Sequence, residues 1–300
     1  MSDTTPDDST TTPPIHVPVL PREVTELLDL TPGLTVVDGT VGAGGHARLI
    51  QELIQPAGRL IGLDRDPMML KHAERALRGS GSTLVHAGYT ELPDVLARLQ
   101  IPAVDRVLLD LGLSSDQLAD SERGFSFDSE AALDMRYDTT EGVPAWDIVN
   151  RAAEKELARI FYEYGEERYS RRIARRIVNQ RPVATAVELA RIVRSAVPHP
   201  KGRQRIHPAT RVFQALRIAA NHELQQLETL LDEVLPRCLK PGGRAVFITF
   251  HSLEDRLVKQ AFRDRNRWKN LTKKPLRASA SEQRENPRSR SAKLRAAVKL

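Results

Sequence analysis

The chain has 300 residues, 40% of them apolar, enough for a substantial core in one large domain or two smaller ones. Its one cysteine, Cys238, excludes an internal disulfide and any cysteine-based metal cluster. No apolar run is long enough to span a bilayer and no signal-peptide core follows Met1, so a cytoplasmic protein is expected.

Residues 1–14 are Asp, Thr, Ser and Pro with little else, the composition of a disordered tail. Val24, Leu27 and Leu28 then mark one face of a helix. Strand patterns follow at 34–38, 59–64, 83–86 and 106–110. Helical patterns lie between them at 46–54, 67–77 and 92–99. Asp66-Pro67 is a helix cap followed by proline at the first helical position. Alternation of this kind predicts a parallel, doubly wound α/β sheet.

The first strand breaks into Asp38-Gly39-Thr40-Val41-Gly42-Ala43-Gly44-Gly45-His46. Glycines admit positive φ and let a ligand come close, and the helix start near Gly45-His46 offers free N–H groups. A ribose-holding acid is expected about 20 residues past the glycines, where Asp64 ends the second strand. The glycine order is not G-x-G-x-x-G, and an acid stands in front of it. Such an acid repels phosphate and suits a cationic amino-acid moiety, such as the methionine end of S-adenosylmethionine. No Gly-Lys-Ser/Thr follows, which argues against a P-loop.

Alternation stops after Asp110. From about 121 to 211 only helical patterns appear, around Trp146, Leu157, Ile173 and Leu189, so an inserted helical subdomain of about 90 residues is expected. Helices at 207–221 and 223–239 come next. Pro241-Gly242-Gly243 then turns into a strand at 244–250, followed by a helix at 253–263. Residues 292–300 read as a late edge strand. Charge is concentrated at this end. Residues 256–300 carry 15 Lys and Arg against three acids, a net of +12, while the rest of the chain carries −6. Charge alone leaves two readings of this basic tail: a polyanion partner or a solvated surface.

The strand at 106–110 ends in Asp110-Leu111-Gly112-Leu113-Ser114-Ser115. Ligands in open α/β sheets sit outside the carboxyl ends of strands, so Asp110 is a candidate for cofactor or substrate contact. His251, after the strand at 244–250, is on the same sheet edge. There Ser252 with Asp255 reads as a helix-capping pair. In the insertion, Arg168, Arg172, Arg175 and Arg176 recur at helical spacing, and Lys201, Arg203 and Arg205 follow. Such groups bind phosphates, and Phe125 or Phe127 can stack on unpaired bases. A solvated face with a local aromatic core fits the same residues.

Nine motifs now stand in order: 38–46, Asp-Arg-Asp-Pro (64–67), Asp-Leu-Gly-x-Ser-Ser (110–115), Glu-Arg-Gly-Phe-Ser-Phe (122–127), Leu-Asp-Met-Arg (133–136), Tyr-Gly-Glu-Glu-Arg (164–168), His-Pro-Ala-Thr-Arg (207–211), Phe-His-Ser-Leu-Glu-Asp (250–255) and Asn-Pro-Arg-Ser-Arg-Ser-Ala-Lys-Leu-Arg (286–295). From about His16 to the C-terminus the chain resembles the bacterial family of ribosomal RNA small subunit methyltransferase H. The resemblance implies a class I (Rossmann-like) S-adenosylmethionine-dependent methyltransferase sheet with an inserted all-helical subdomain. It implies methyl transfer to the exocyclic N4 of a decoding-centre cytosine of 16S rRNA in the small ribosomal subunit. It implies cofactor contacts at Gly44, Gly45, His46, Asp64, Tyr89, Asp110 and Gln117. Tyr89 stands where the family has phenylalanine, which keeps an aromatic wall. Leu20-Pro21-Arg22-Glu23 departs from the family's Leu-Leu-x-Glu, and Pro21 is expected to shift a helix start.

The expected organisation is a tail at 1–14, a first methyltransferase part at 15–120, a helical substrate-recognition insertion at 121–206, and a second methyltransferase part at 207–300 with the basic segment. Asp110 is the candidate catalytic residue, as acceptor for the amine and its developing charge. Carbon-5 methylation would need a cysteine nucleophile, which the position of Cys238 disfavours. A non-catalytic small-subunit assembly factor retaining a cofactor pocket is the alternative. A small-molecule methyltransferase is disfavoured by the basic segment and the arginine-rich insertion.

Overall fold

The structure is a computed structural model, described here over residues 17–198 and 207–300. The predicted tail at 1–14 and the loop bearing Lys201, Arg203 and Arg205 lie outside the described residues. The chain opens with α1 (Pro21–Leu28), which has Pro21 at its first position, where the missing N–H costs nothing. Then come β1 (Thr35–Asp38), α2 (Gly45–Ile54), β2 (Arg59–Asp64), α3 (Pro67–Ala76), β3 (Thr83–His86), α4 (Leu92–Arg98) and β4 (Val104–Asp110). These match the predicted elements to within a residue or two. Asp66 Oδ1 accepts the Met68 N–H at 2.9 Å and caps α3 as expected.

After the short α5 (Ser115–Ala119), four helices follow: α6 (Ala145–Arg151), α7 (Glu154–Glu163), α8 (Ser170–Val178) and α9 (Ala186–Ala196). They bury Leu157, Phe161, Ile173, Ile177 and Leu189 against one another. Phe125 belongs to this core and Phe127 packs against it. Phe127 stacks on His207 with ring centroids 4.4 Å apart. The two phenylalanines are therefore core residues and not free stacking platforms. Next, α10 (Thr210–Asn221) sends Val212, Phe213 and Leu216 into the same core.

The second half runs α11 (Glu223–Thr229), a π turn at Leu230–Val234 and α12 (Leu235–Cys238) as one continuous rod, then β5 (Leu239–Thr249) and α13 (Ser252–Ala261). The last elements are β6 (Trp268–Asn270), α14 (Ala280–Glu285) and β7 (Lys293–Lys299). The sheet order is β3-β2-β1-β4-β5-β7-β6. Strands β1 to β5 are parallel, and β7 runs antiparallel to both neighbours. This is the class I methyltransferase sheet.

Both sheet faces are covered. One carries α1, α2 and α3 through Val24, Leu28, Ile50 and Ala73. The other carries α4, α11, α12 and α13 through Leu96, Leu227, Leu235 and Val258. Two-sided burial explains why the parallel strands read as continuous apolar runs. Among the described residues no helix is long and apolar enough to cross a membrane.

Three expectations need correction. The strand over 293–299 is not the edge, because β6 pairs outside it, with Trp268 opposite Lys299. Three residues carry no readable alternation, so β6 left no signal. The basic segment is not a tail, since it contributes β6, α14 and β7 to the fold. Arg295, only 5% exposed, and Lys293 both pair with Asp255, at 2.7 and 3.2 Å, so part of that charge is internal. Finally, Ser252 and Asp255 are not the cap of α13. His251 is the cap residue, and Glu254 reaches back to the Phe250 N–H at 2.8 Å and the His251 N–H at 3.3 Å.

Candidate active site

The parallel register aligns the ends of β1, β2 and β4. Asp38 lies opposite Leu108 and Gly62, and Asp64 lies opposite His86. Their carboxylates therefore converge on one cleft, with about 970 Å³ between its walls, the open mouth included.

The glycine turn builds the first wall. Gly44 takes φ 87°, and a Cβ there would lie 3.2 Å from Ala76 Cβ, so only glycine suits the start of α2. Gly44 shapes the turn, while Gly45 and His46 line the cleft. Asp64 is held from both sides. Its Oδ2 accepts the Gly42 N–H and its Oδ1 the Asp66 N–H, each at 2.9 Å. Tyr89 lines the cleft beyond it. Burial raises its phenol well above the usual range. Gln117 is fixed by a reciprocal cap with Ser114 at 2.9 Å each way, and its Nε2 donates to Asp66 Oδ2 at 2.8 Å. Asp110 is placed by its own N–H, which donates to Thr40 Oγ1 at 2.7 Å. His46 Nε2 lies 3.8 Å from Asp110 Oδ2. Six of the seven expected contact residues thus line one cleft, with Gly44 behind the turn.

The electrostatics show what this cleft accepts. Burial pushes Asp38 up to about 8, Asp110 to about 7 and Asp64 to about 6, with the neighbouring carboxyls adding to the effect. Asp110 Oδ1 is buried with no hydrogen-bond partner among the described residues. Added positive charge in the cleft would favour the ionised forms of these three carboxyls. A sulfonium and an ammonium group would relieve them, which fits S-adenosylmethionine and argues against a phosphate ligand.

Sequence reasoning missed the opposite wall. Tyr137, Asn221, Glu223, Glu254 and Arg288 line the cleft from elements distant in sequence. Asn221 clamps the 133–137 segment here. It accepts the Tyr137 N–H at 2.8 Å and donates to Met135 O at 2.7 Å. Glu223 takes both Arg217 Nε and Nη2, at 2.8 and 2.9 Å. The Leu-Asp-Met-Arg and Phe-His-Ser-Leu-Glu-Asp motifs were the available signal, but neither has a spacing that names a ligand.

A seven-stranded sheet of this order, with an acid-lined cleft at the ends of β1, β2 and β4, defines a class I methyltransferase. A family model described as the MraW methylase family matches residues 14–300, and the chain belongs to that family. A protein of Syntrophotalea carbinolica named ribosomal RNA small subunit methyltransferase H is 52% identical over 308 residues, covering 95% of this chain and 98% of its own. Proteins of the same name from Pelobacter propionicus and Thermotoga neapolitana are each 48% identical, covering 95% and 94% of this chain and 98% and 95% of theirs.

Proposed function

We propose that this chain methylates the exocyclic N4 of a decoding-centre cytosine of 16S rRNA in the small ribosomal subunit, in the cytoplasm, using S-adenosylmethionine. The observation that carries the reading is Asp110, half-buried beside a cation-suited cradle, with its Oδ1 buried and without a hydrogen-bond partner among the described residues. The name shared by relatives at about half identity supports the substrate class. Gly45, His46 and Asp38 would face the methionine end, Asp64 the ribose, and Tyr89 and Gln117 the adenine. When bound, S-adenosylmethionine supplies an electrophilic methyl group.

The N4 lone pair is delocalised into the ring and is a weak nucleophile. An acceptor at the amine orients it and takes up developing positive charge. Held by the residues named above, the donor would supply the methyl group for the new N–C bond, with the electron pair of its S–C bond left on sulfur. One amine proton then passes to Asp110. Carbon-5 chemistry has no nucleophile here, because Cys238 is packed in the core under the sheet. The direct test incubates unmodified small subunits with labelled S-adenosylmethionine and identifies the methylated nucleoside by mass spectrometry. An unlabelled cytosine N4 would overturn the reading.

Two further outcomes are expected. Asp64→Ala should weaken S-adenosylmethionine binding by about 1.5–3 kcal/mol, the loss of a charge-assisted hydrogen bond. Calorimetry showing unchanged affinity would remove Asp64 from the site. For RNA, two groups of exposed bases are candidates: Arg171, Arg172 and Arg176 on α8, and Lys269, Lys273 and Lys274 around β6. Replacing each trio by Gln should flatten the salt dependence of subunit binding by up to about three in log–log slope if all three meet phosphates. An unchanged slope for a trio would make that face merely solvated.

A further inference from the structure

The cleft that Asp110 lines also holds a buried carboxylate from α13, Glu254, only 2% exposed. A carboxylate offers about four acceptor positions. Glu254 uses two on the Phe250 and His251 N–H groups, and its Oε1 lies 3.0 Å from His251 Nε2. His251 Nδ1 accepts the Glu254 N–H at 3.4 Å, which leaves the ring proton on Nε2, 3.0 Å from Glu254 Oε1 but not aligned for a hydrogen bond to it. At least one acceptor position therefore remains on a group that lines the cleft. Glu254 is close enough to Asp110 to repel its charge. The capping role alone does not require a carboxylate, since glutamine closes such a box as well.

Glu223 does not offer the same capacity, because Arg217 holds both its oxygens and Tyr137 Oη donates to one at 3.2 Å. The same pairing weighs against a metal ion. Ligand atoms of Glu223, His251 and Glu254 lie within 4.8 Å of one another, but the Arg217 guanidinium already meets the Glu223 charge.

We propose that Glu254 and Asp110 together accept the two hydrogens of the target amine, so that the cleft selects an amino group over a carbonyl on the incoming base. This inference rests on the function proposed above. Cytosine places an NH₂ donor where uracil places a carbonyl oxygen. Two carboxylate oxygens satisfy the first and repel the second. A site built around such hydrogen bonds rejects the wrong partner strongly, because its buried acceptors are left unpaired. Holding both N–H groups in the plane of the base also leaves the N4 lone pair directed out of it, toward the methyl donor.

The test is binding of the full chain, with S-adenosylhomocysteine present, to unmodified small subunits carrying either cytosine or uracil at the target position. Wild type should prefer cytosine by about tenfold or more, and Glu254→Gln should bring the ratio to within about threefold. The readout is the cytosine-to-uracil ratio of a folded, S-adenosylhomocysteine-saturated variant and not absolute affinity or melting temperature, which separates a substrate contact from a structural cap. Glu254→Asp keeps the charge but withdraws the acceptor by one methylene, and should lose the same preference. A folded variant of either kind that keeps the wild-type ratio overturns the proposal. A wild-type protein that does not methylate the cytosine-bearing subunits overturns instead the function on which it rests.

Discussion

Replacing Asp110 by Asn should lower the single-turnover methylation rate on small subunits about 10²-fold or more at saturating S-adenosylmethionine, the scale of losing one preorganised electrostatic group. The substitution keeps the shape and one acceptor but removes the charge. Saturating cofactor separates chemistry from binding, because Asp110 lines the cofactor cleft as well. The pH profile gives a second readout. Burial holds the Asp110 carboxyl up at about 7, with Glu254 raising it further and Arg288 opposing. The acceptor is the ionised form and the bound sulfonium and ammonium lower the carboxyl, so at saturating S-adenosylmethionine the wild-type rate should climb with pH along a limb below about 7 and then level. Asp38 and Asp64 titrate in the same cleft, at about 8 and about 6. The limb belonging to Asp110 is therefore the part that Asp110→Asn abolishes. A variant rate within a few-fold of wild type would leave Asp110 as a binding residue only. The backbone carbonyls of residues 111–114 would then be the next acceptors to consider.

Arg123→Ala should cost about 3–5 kcal/mol of stability, because it strands a buried charge. Asp66 is 1% exposed and Arg123 8%. Arg123 Nη1 donates to Asp66 Oδ2 at 2.7 Å and Nε to Asp120 Oδ2 at 2.7 Å. Nη1 also reaches Tyr137 O at 3.2 Å. One guanidinium thus ties the cap of α3, the end of α5 and the segment leading to Tyr137. Without it, Asp66 keeps only Gln117 and the Met68 N–H. Cofactor affinity should fall with stability, since Gln117 and Tyr137 both line the cleft. Denaturant unfolding that shows a loss below about 1 kcal/mol would overturn the reading of Arg123 as the partner of a buried charge.

Local signals in the chain were enough for the parallel sheet and half of the site. The strand patterns at 34–38, 59–64 and 106–110, each ending in Asp, mark strands buried on both faces. The Gly42–Gly45 turn needs glycine at φ 53° and 87°. Both features are legible because their causes, burial and backbone sterics, act within a few residues. The fate of the charges at the C-terminal end was not legible in the same way. Net charge marks 256–300 as basic. Only the docking of β7 against β5 turns Lys293 and Arg295 inward to Asp255, while Lys273 and Lys274 stay in water. The far wall of the cleft follows the same logic. Asn221, Glu223 and Glu254 have ordinary helical neighbours in sequence. They become a site because α10, α11 and α13 pack over the strand ends. Residue identity and local spacing determine the strands, the turn and the acids that end them. Which distant carboxylates face one another, and which cations neutralise them, is decided by long-range packing, since burial and Coulomb interactions act through space and not along the chain.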